Sequence, residues 1–236
     1  MTVATAGEVE GEGQAATLAC PEHDGVTRLG AVRHGETDWN VEARLQGQLD
    51  VPLNARGRDQ ARRAARSLAS DMPGIVVSSD LSRARETGEA IAAFNACPII
   101  TDRGLRERCF GEFQGLTHAE VALRWPEESR RWRSRDPDYA PGDGESLRDF
   151  HARCVEATLR IARAHVGGTV VLVAHGGVLD CLYRAATRVD LDAPRSWALD
   201  NAAINRLLHT GSGLTLVGWN DTHHLDDPAL DESMDR

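Results

Sequence analysis

No stretch of the chain stays apolar over the roughly 20 residues that a helix needs to cross a bilayer. Nor does the N-terminus carry a basic segment followed by a hydrophobic core, the mark of a signal peptide. The sequence therefore predicts a cytoplasmic protein with no membrane partner. Cysteine is sparse: Cys20, Cys97, Cys109, Cys154 and Cys181 lie scattered without a C-x-x-C pair. An odd count argues against a disulfide framework, so these read as reduced thiols. Positive charge is in deficit, with a formal net charge of −9 at pH 7. A nucleic-acid partner, which is held by excess cationic side chains, is not expected. A small anionic substrate remains compatible, because arginines gathered in one pocket set a local field that net charge does not describe. There is no internal repeat and no Pro/Ser-rich linker, and 236 residues suffice for one sizeable α/β domain. Composition says nothing about oligomeric state.

What is present is a series of short β-compatible runs, several ending in residues suited to chemistry. The run from Val26 to Val32 reads as a buried strand that opens onto Arg33-His34-Gly35-Glu36-Thr37. A second run, residues 74–79, leads into Asp80-Leu81-Ser82-Arg83-Ala84-Arg85-Glu86-Thr87, where a helix begins with an arginine near its positive end. Residues 98–101 make a third strand. Residues 168–174 make a fourth, which stops at His175-Gly176-Gly177. Parallel strands bring their C-terminal ends to one edge of a sheet, so Arg-His, Arg and His would converge there. The runs 203–208 and 214–219 read as a final hairpin around Gly211-Ser212-Gly213.

Between the strands, Asn54 caps a helix over residues 55–70, with Ala61, Ala64, Ala65 and Leu68 inward and five arginines on a solvated face. Further helices run through Phe94, over residues 146–164, and from His175 through Ala186. Residues 37–53 form a long loop anchored by Trp39. Residues 117–145, with three tryptophan or tyrosine side chains, a cluster of arginines and several Pro and Gly breaks, read as a short-helix insertion that covers a pocket. Interleaved Arg and Trp would also suit nucleic acid, but the cluster is brief and the overall charge is wrong. Residues 1–25 read as a flexible leader; their G-x-G-x-x-A match at residues 11–16 lacks the preceding strand that would make it a dinucleotide site. Residues 223–236 read as an acidic tail, in which His223, His224, Asp226 and Asp227 form a weak metal candidate.

An imidazole beside a guanidinium suits attack on a phosphoryl group. The arginine holds phosphate oxygens through charge-assisted, fork-shaped hydrogen bonds while the neutral ring offers a lone pair to phosphorus. Gly35 would let the backbone approach the substrate. Each element alone has an ordinary explanation: a solvated Arg-His pair, a surface ion pair at Arg83, and polar positions at His151 and His165. Their convergence on one sheet edge is what packing does not explain.

Taken together, Arg33-His34-Gly35-Glu36, Ser79-Asp80-Leu81-Ser82-Arg83-Ala84 with Thr87, Leu105-Arg106-Glu107 with Gly111 and Gly115, and Val173-Ala174-His175-Gly176-Gly177 resemble the phosphoglycerate mutase-like histidine phosphatase superfamily from Thr27 to about Trp219. The resemblance implies a three-layer α/β/α sandwich with a mainly parallel, mixed sheet, in a domain over residues 26–222. It implies a phosphohistidine intermediate on His34. Arg33, Arg83, His175 and Gly176 would complete the phosphate pocket, Glu107 would donate the proton, and Asn40 and Gln46 would be further phosphate contacts. No metal or cofactor is expected, since the cationic side chains carry the electrostatic work. The partner would be a small phosphorylated metabolite: a sugar phosphate, a phosphoglycerate-type ester or α-ribazole phosphate. The loop at residues 45–53 looks like the phosphatase branch, whereas cofactor-dependent mutases usually show an aromatic Gly-Trp pattern there. The segment between Glu107 and His175 is also shorter than in those mutases, where it helps exclude water. The alternatives are such a mutase and a non-catalytic module of the same fold. A serine hydrolase lacks its G-x-S-x-G elbow.

Overall fold

The computed structural model describes residues 25–226. The leader expected over residues 1–25, Cys20, the G-x-G-x-x-A stretch and all of the tail beyond Asp226 lie outside the described residues, Gly25 excepted. In chain order the elements are β1 (Thr27–Arg33), α1 (Asp38–Val41), α2 (Ala55–Ser67), β2 (Ile75–Ser78), α3 (Ser82–Asn95), β3 (Ile99–Thr101), α4 (His118–Arg124), α5 (Pro126–Arg133), α6 (Leu147–Ala164), β4 (Thr169–Ala174), α7 (Gly176–Thr187), β5 (Ile204–Thr210) and β6 (Gly213–Asp221).

The six strands form one sheet in the order β3-β2-β4-β1-β5-β6. β1, β2, β3 and β4 run parallel, while β5 and β6 add an antiparallel edge. β4 lies between two parallel neighbours and is covered on both faces. That burial is why it is an unbroken apolar run rather than an alternating one. Its Val170, Leu172 and Ala174 join Leu29 and Ala31 of β1 in a core with α6 and α7. Val171 and Val173 join Val32 in a second core against α2 and α3. The result is a three-layer α/β/α sandwich whose sheet is mainly parallel and mixed, as the resemblance implies.

Local chemistry explains the element ends. Asn54 caps α2 by accepting from the Gly57 backbone at 2.8 Å, and Ser146 caps α6 by accepting from Asp149 at 3.0 Å. Where a helix to residue 70 was expected, α2 ends at Ser67 and tightens into a 3-10 turn over Leu68–Asp71. The loop expected over residues 37–53 contains the four-residue α1, closed by a capping box in which Thr37 and Asn40 bond each other's backbone. One turn is too short to show a hydrophobic period, so only its cap residues could have signalled it. His165 falls just past the end of α6, with Nδ1 2.8 Å from the Ile161 carbonyl.

Residues 117–145 hold α4 and α5, separated at Trp125-Pro126, with Pro126 at the first position of the second helix. Phe113, Val121 and Tyr139 form a small core of their own, with Phe110, Trp125 and Trp132 packed against it. Most of the arginine cluster is locally paired: Arg130 with Glu127, Arg131 with Asp136, and Arg135 with Asp180 at 2.9 Å. That pairing gives most of the cluster a structural use. No helix among the described residues is long and apolar enough to cross a membrane, and Cys97, Cys109, Cys154 and Cys181 are free thiols.

Leu172 is 1% exposed at the centre of the sheet. Leu172→Ala is expected to lower unfolding free energy by about 2–5 kcal/mol, read as an earlier urea midpoint at unchanged slope.

Candidate active site

The register between β1 and β4 places Arg33 opposite Ala174, so the next residue on each strand, His34 and His175, leaves the sheet at the same point. The His34 backbone N–H continues the ladder to the Ala174 carbonyl at 2.9 Å. The two rings lie 5.1 Å apart, tilted by 59°. His34 is 3% exposed and His175 fully buried.

His34 Nδ1 is 2.7 Å from the Gly35 carbonyl. A carbonyl only accepts, so Nδ1 must carry the hydrogen and Nε2 keeps its lone pair. Burial, then the charges of Arg83 and Arg33, hold the His34 ring well below the ordinary histidine value. The same causes, burial first and Arg83 next, depress His175. His175 Nε2 meets Ser79 Oγ at 2.9 Å, and its Nδ1 has no partner among the described residues.

Arg83 sits in the first turn of α3 and is 1% exposed. Its terminal nitrogens donate to the carbonyls of Gly47 at 2.7 Å and Leu49 at 2.9 Å, which ties the 46–49 loop to the site. Burial lowers its pKa to about 10, opposed by Glu107 and Asp50, so it stays charged near neutrality. Arg33 donates to the Leu199 carbonyl. Among the described residues the Nε of each arginine lacks a partner, as does Gln46 Oε1. Neither arginine has a carboxylate within ion-pair distance among the described residues.

Glu107 is pinned from two sides. Its Oε1 accepts from the Arg108 backbone at 2.8 Å and its Oε2 from the Gly177 backbone at 3.0 Å. A Cβ at position 177 would stand 2.2 Å from Oε1, so glycine is required there for the carboxylate to approach. Arg153 of α6 clamps the same loop by donating to the carbonyls of Gly104 and Arg106 at 3.0 Å and of Glu107 at 3.3 Å, while pairing with Glu145.

Arg33, His34, Gln46, Arg83, Glu107 and Gly176 line one cavity of about 450 Å3. His175 is enclosed beside His34. Asn40 is turned elsewhere: its Oδ1 accepts from the Thr37 backbone at 3.0 Å and from Asn201 at 3.3 Å, and it does not line the cavity. Gly35 has a different use from the one expected. A Cβ there would lie 2.3 Å from the Gly57 carbonyl, so the glycine lets this loop pack against the start of α2 rather than against a ligand. Sequence reasoning missed Arg153, Arg195 and the 197–200 stretch, which also line or support the site. Arg153 reads as one more polar position of an amphipathic helix. The others lie in irregular backbone with no periodicity to mark them. Of the metal candidate near the C-terminus, Asp227 lies outside the described residues. His223 pairs with Asp221, His224 meets the Ala202 carbonyl, and no group of three or more His, Cys, Asp or Glu among the described residues could hold an ion.

The chain has counterparts among known proteins. The sequence model of the histidine phosphatase superfamily, branch 1, matches residues 29–222. The chain is 41% identical over 206 residues to phosphoglycerate mutase-like protein 4 of Arabidopsis thaliana, covering 86% of this chain and 88% of that one. It is 38% identical over 203 residues to a metal-independent phosphoserine phosphatase of the same plant, covering 85% and 84%. Among solved structures, a mycobacterial glucosyl-3-phosphoglycerate phosphatase in complex with VO3 superposes with a TM-score of 0.73 at 36% identity, over 83% of this chain and 99% of that one. The chain belongs to the histidine phosphatase superfamily.

Both histidines are depressed below the ordinary value of 6.5 in the folded protein. Below pH 6.5 the unfolded chain therefore binds more protons at these positions, and stability falls as pH drops. Each histidine contributes up to about 1.4 kcal/mol per pH unit. Between pH 7 and 5.5 the wild type should lose more stability than a His34→Gln, His175→Gln double variant, as read from urea titrations at both pH values.

Proposed function

We propose that the protein is a phosphomonoester hydrolase acting on a small phosphorylated metabolite through a phosphohistidine at His34. The observation that carries this reading is the tautomer. With Nδ1 donating to the Gly35 carbonyl, the Nε2 lone pair belongs to a neutral ring flanked by the buried Arg83 and the half-buried Arg33. Burial suppresses competing protonation, and the arginines draw in the phosphate dianion.

In the first half-reaction Nε2 forms a bond to phosphorus as the ester P–O bond breaks, and the departing oxygen takes a proton from Glu107. In the second, water attacks phosphorus, Glu107 takes back a proton, and the P–N bond breaks to release inorganic phosphate and the neutral imidazole. Arg33 and Arg83 balance charge on the equatorial oxygens. The unpartnered Nδ1 of His175 supplies a further donor when the ring carries its hydrogen there. Gln46 and the Gly176 backbone complete the phosphate contacts. Asn40 serves by holding the His34 loop, through Asn201, which donates to the His34 carbonyl at 3.0 Å. With these cations in place the reaction as written needs no metal ion, in keeping with the name of the plant phosphoserine phosphatase. The domain spans residues 26–222, with residues 117–145 as the cover that meets the leaving group.

The main alternative is a mutase, in which the phosphoryl group returns to the same sugar acid. Hydrolysis of 3-phosphoglycerate or another phosphomonoester without a bisphosphoglycerate primer is expected; primer-dependent isomerisation to 2-phosphoglycerate would favour the mutase.

His34→Ala should abolish release of phosphate from an aryl phosphate, and normal turnover in that variant would remove His34 as the nucleophile. Glu107→Gln should slow an alkyl ester by about 10²-fold or more, the usual reach of general acid catalysis. An aryl phosphate, whose leaving group needs little protonation, should lose far less; equal losses on both esters would contradict the proton-donor role.

A further inference from the structure

Beyond Glu107 the cavity continues. A second chamber of about 510 Å3 shares Glu107, Phe110, His118, Gly177 and Arg195 with the first, so the two form one groove with the Glu107 carboxylate at their junction. The proton donor must reach the ester oxygen. The alcohol half of any substrate therefore runs past Glu107 into this outer chamber.

Its walls are of two kinds. One is an aromatic ledge: His118 stacks on Trp132 at 4.8 Å, tilted by only 8°, and Phe110 meets Trp132 edge-on at 5.9 Å. The other is cationic, and here the arginines differ. Arg108 is spent on the carbonyls of Tyr139 and Glu145, and Arg135 on Asp180 and the Leu191 carbonyl. Arg133 and Arg195 are exposed and line the chamber, yet neither makes an ion pair or hydrogen bond among the described residues. A volume of this order suits a ligand well above three carbons in size.

Resting on the phosphatase reading, we propose that the outer chamber selects a phosphomonoester whose alcohol carries both an acidic group, held by Arg133 and Arg195, and a ring-sized body, laid against the His118–Trp132 ledge. Sugar C–H faces and aromatic rings both stack on such a surface, while two guanidinium groups without partners favour a carboxylate.

The test crosses charge with size. Values of kcat/KM are measured for glycerol 3-phosphate, 3-phosphoglycerate and 3-phosphoglycerate carrying a glucosyl group, with an aryl phosphate as reference. The wild type should prefer 3-phosphoglycerate over glycerol 3-phosphate, and the glucosylated acid over both. The acid-to-neutral ratio should fall about tenfold in Arg133→Ala and in Arg195→Ala, the effect of one charge-assisted hydrogen bond. In Trp132→Ala the glucosylated-to-plain ratio should fall. Because each readout is a ratio within one variant, partial misfolding moves numerator and denominator together. Ratios that stay at wild-type values in these variants would overturn the subsite and leave the phosphatase reading standing, as would a wild type indifferent to the acid. Release of no phosphate from any ester, the aryl phosphate included, would overturn that reading and the subsite with it.

Discussion

Two guanidinium groups, Arg83 buried and Arg33 half-buried, with no carboxylate in ion-pair contact among the described residues, are the constraint on which the site depends. Arg33 and Arg83 satisfy part of their hydrogen-bonding capacity with backbone carbonyls of Leu199, Gly47 and Leu49, which leaves their charge without an ion-pair partner among the described residues. A buried lysine would relieve such a position by losing its proton. Arginine does not, and even Arg83 is lowered only to about 10. The chain contains no lysine at all, so its 27 basic side chains are all arginine. The persistent charge adds to burial in keeping the neighbouring imidazoles neutral, and it gives the floor of the cavity a positive field.

The fold serves this arrangement by economical means. Parallel pairing of β1 with β4 puts two histidines on adjacent strand ends, and α3 starts close enough for Arg83 to reach the loop after β1. Glycines at 35, 57 and 177 remove side chains where backbones must touch. A Cβ at Gly57 would lie 2.1 Å from the Glu36 carbonyl, as close a clash as at Gly35. The Arg153–Glu145 pair then fixes the loop that carries Glu107. His34 and Glu107 are thus held by different layers of the sandwich, the first by the sheet and the second by α6 and α7.

The selectivity proposed for the outer chamber has a different origin. Residues 117–145 contribute little to the α/β/α core and keep their own aromatic cluster, but they supply the ledge of the outer chamber. A separate small core allows this segment to vary without disturbing the phosphate floor. That separation fits a superfamily whose named members here include a phosphoserine phosphatase and a glucosyl-3-phosphoglycerate phosphatase.

Much of this was legible in the residues. Apolar runs stopping at Arg33-His34, at Asp80 before Arg83 and at His175 predict strand ends on one sheet edge, because parallel strands share a direction. Alanine periodicity and Asn54 predict α2, and the two final runs predict the hairpin. Tertiary structure decided what local pattern does not encode. The capping box of α1 lies within a single turn. The need for glycine at position 35 arises from Gly57, 22 residues away and visible only when the loop meets the helix. Asn40 went to a cap and Arg153 to a clamp, because which partner a polar side chain finds depends on what packing brings within about 3 Å of it. Side-chain chemistry names the groups able to act, but their tautomers, charges and neighbours follow from burial, and burial is a property of the folded chain.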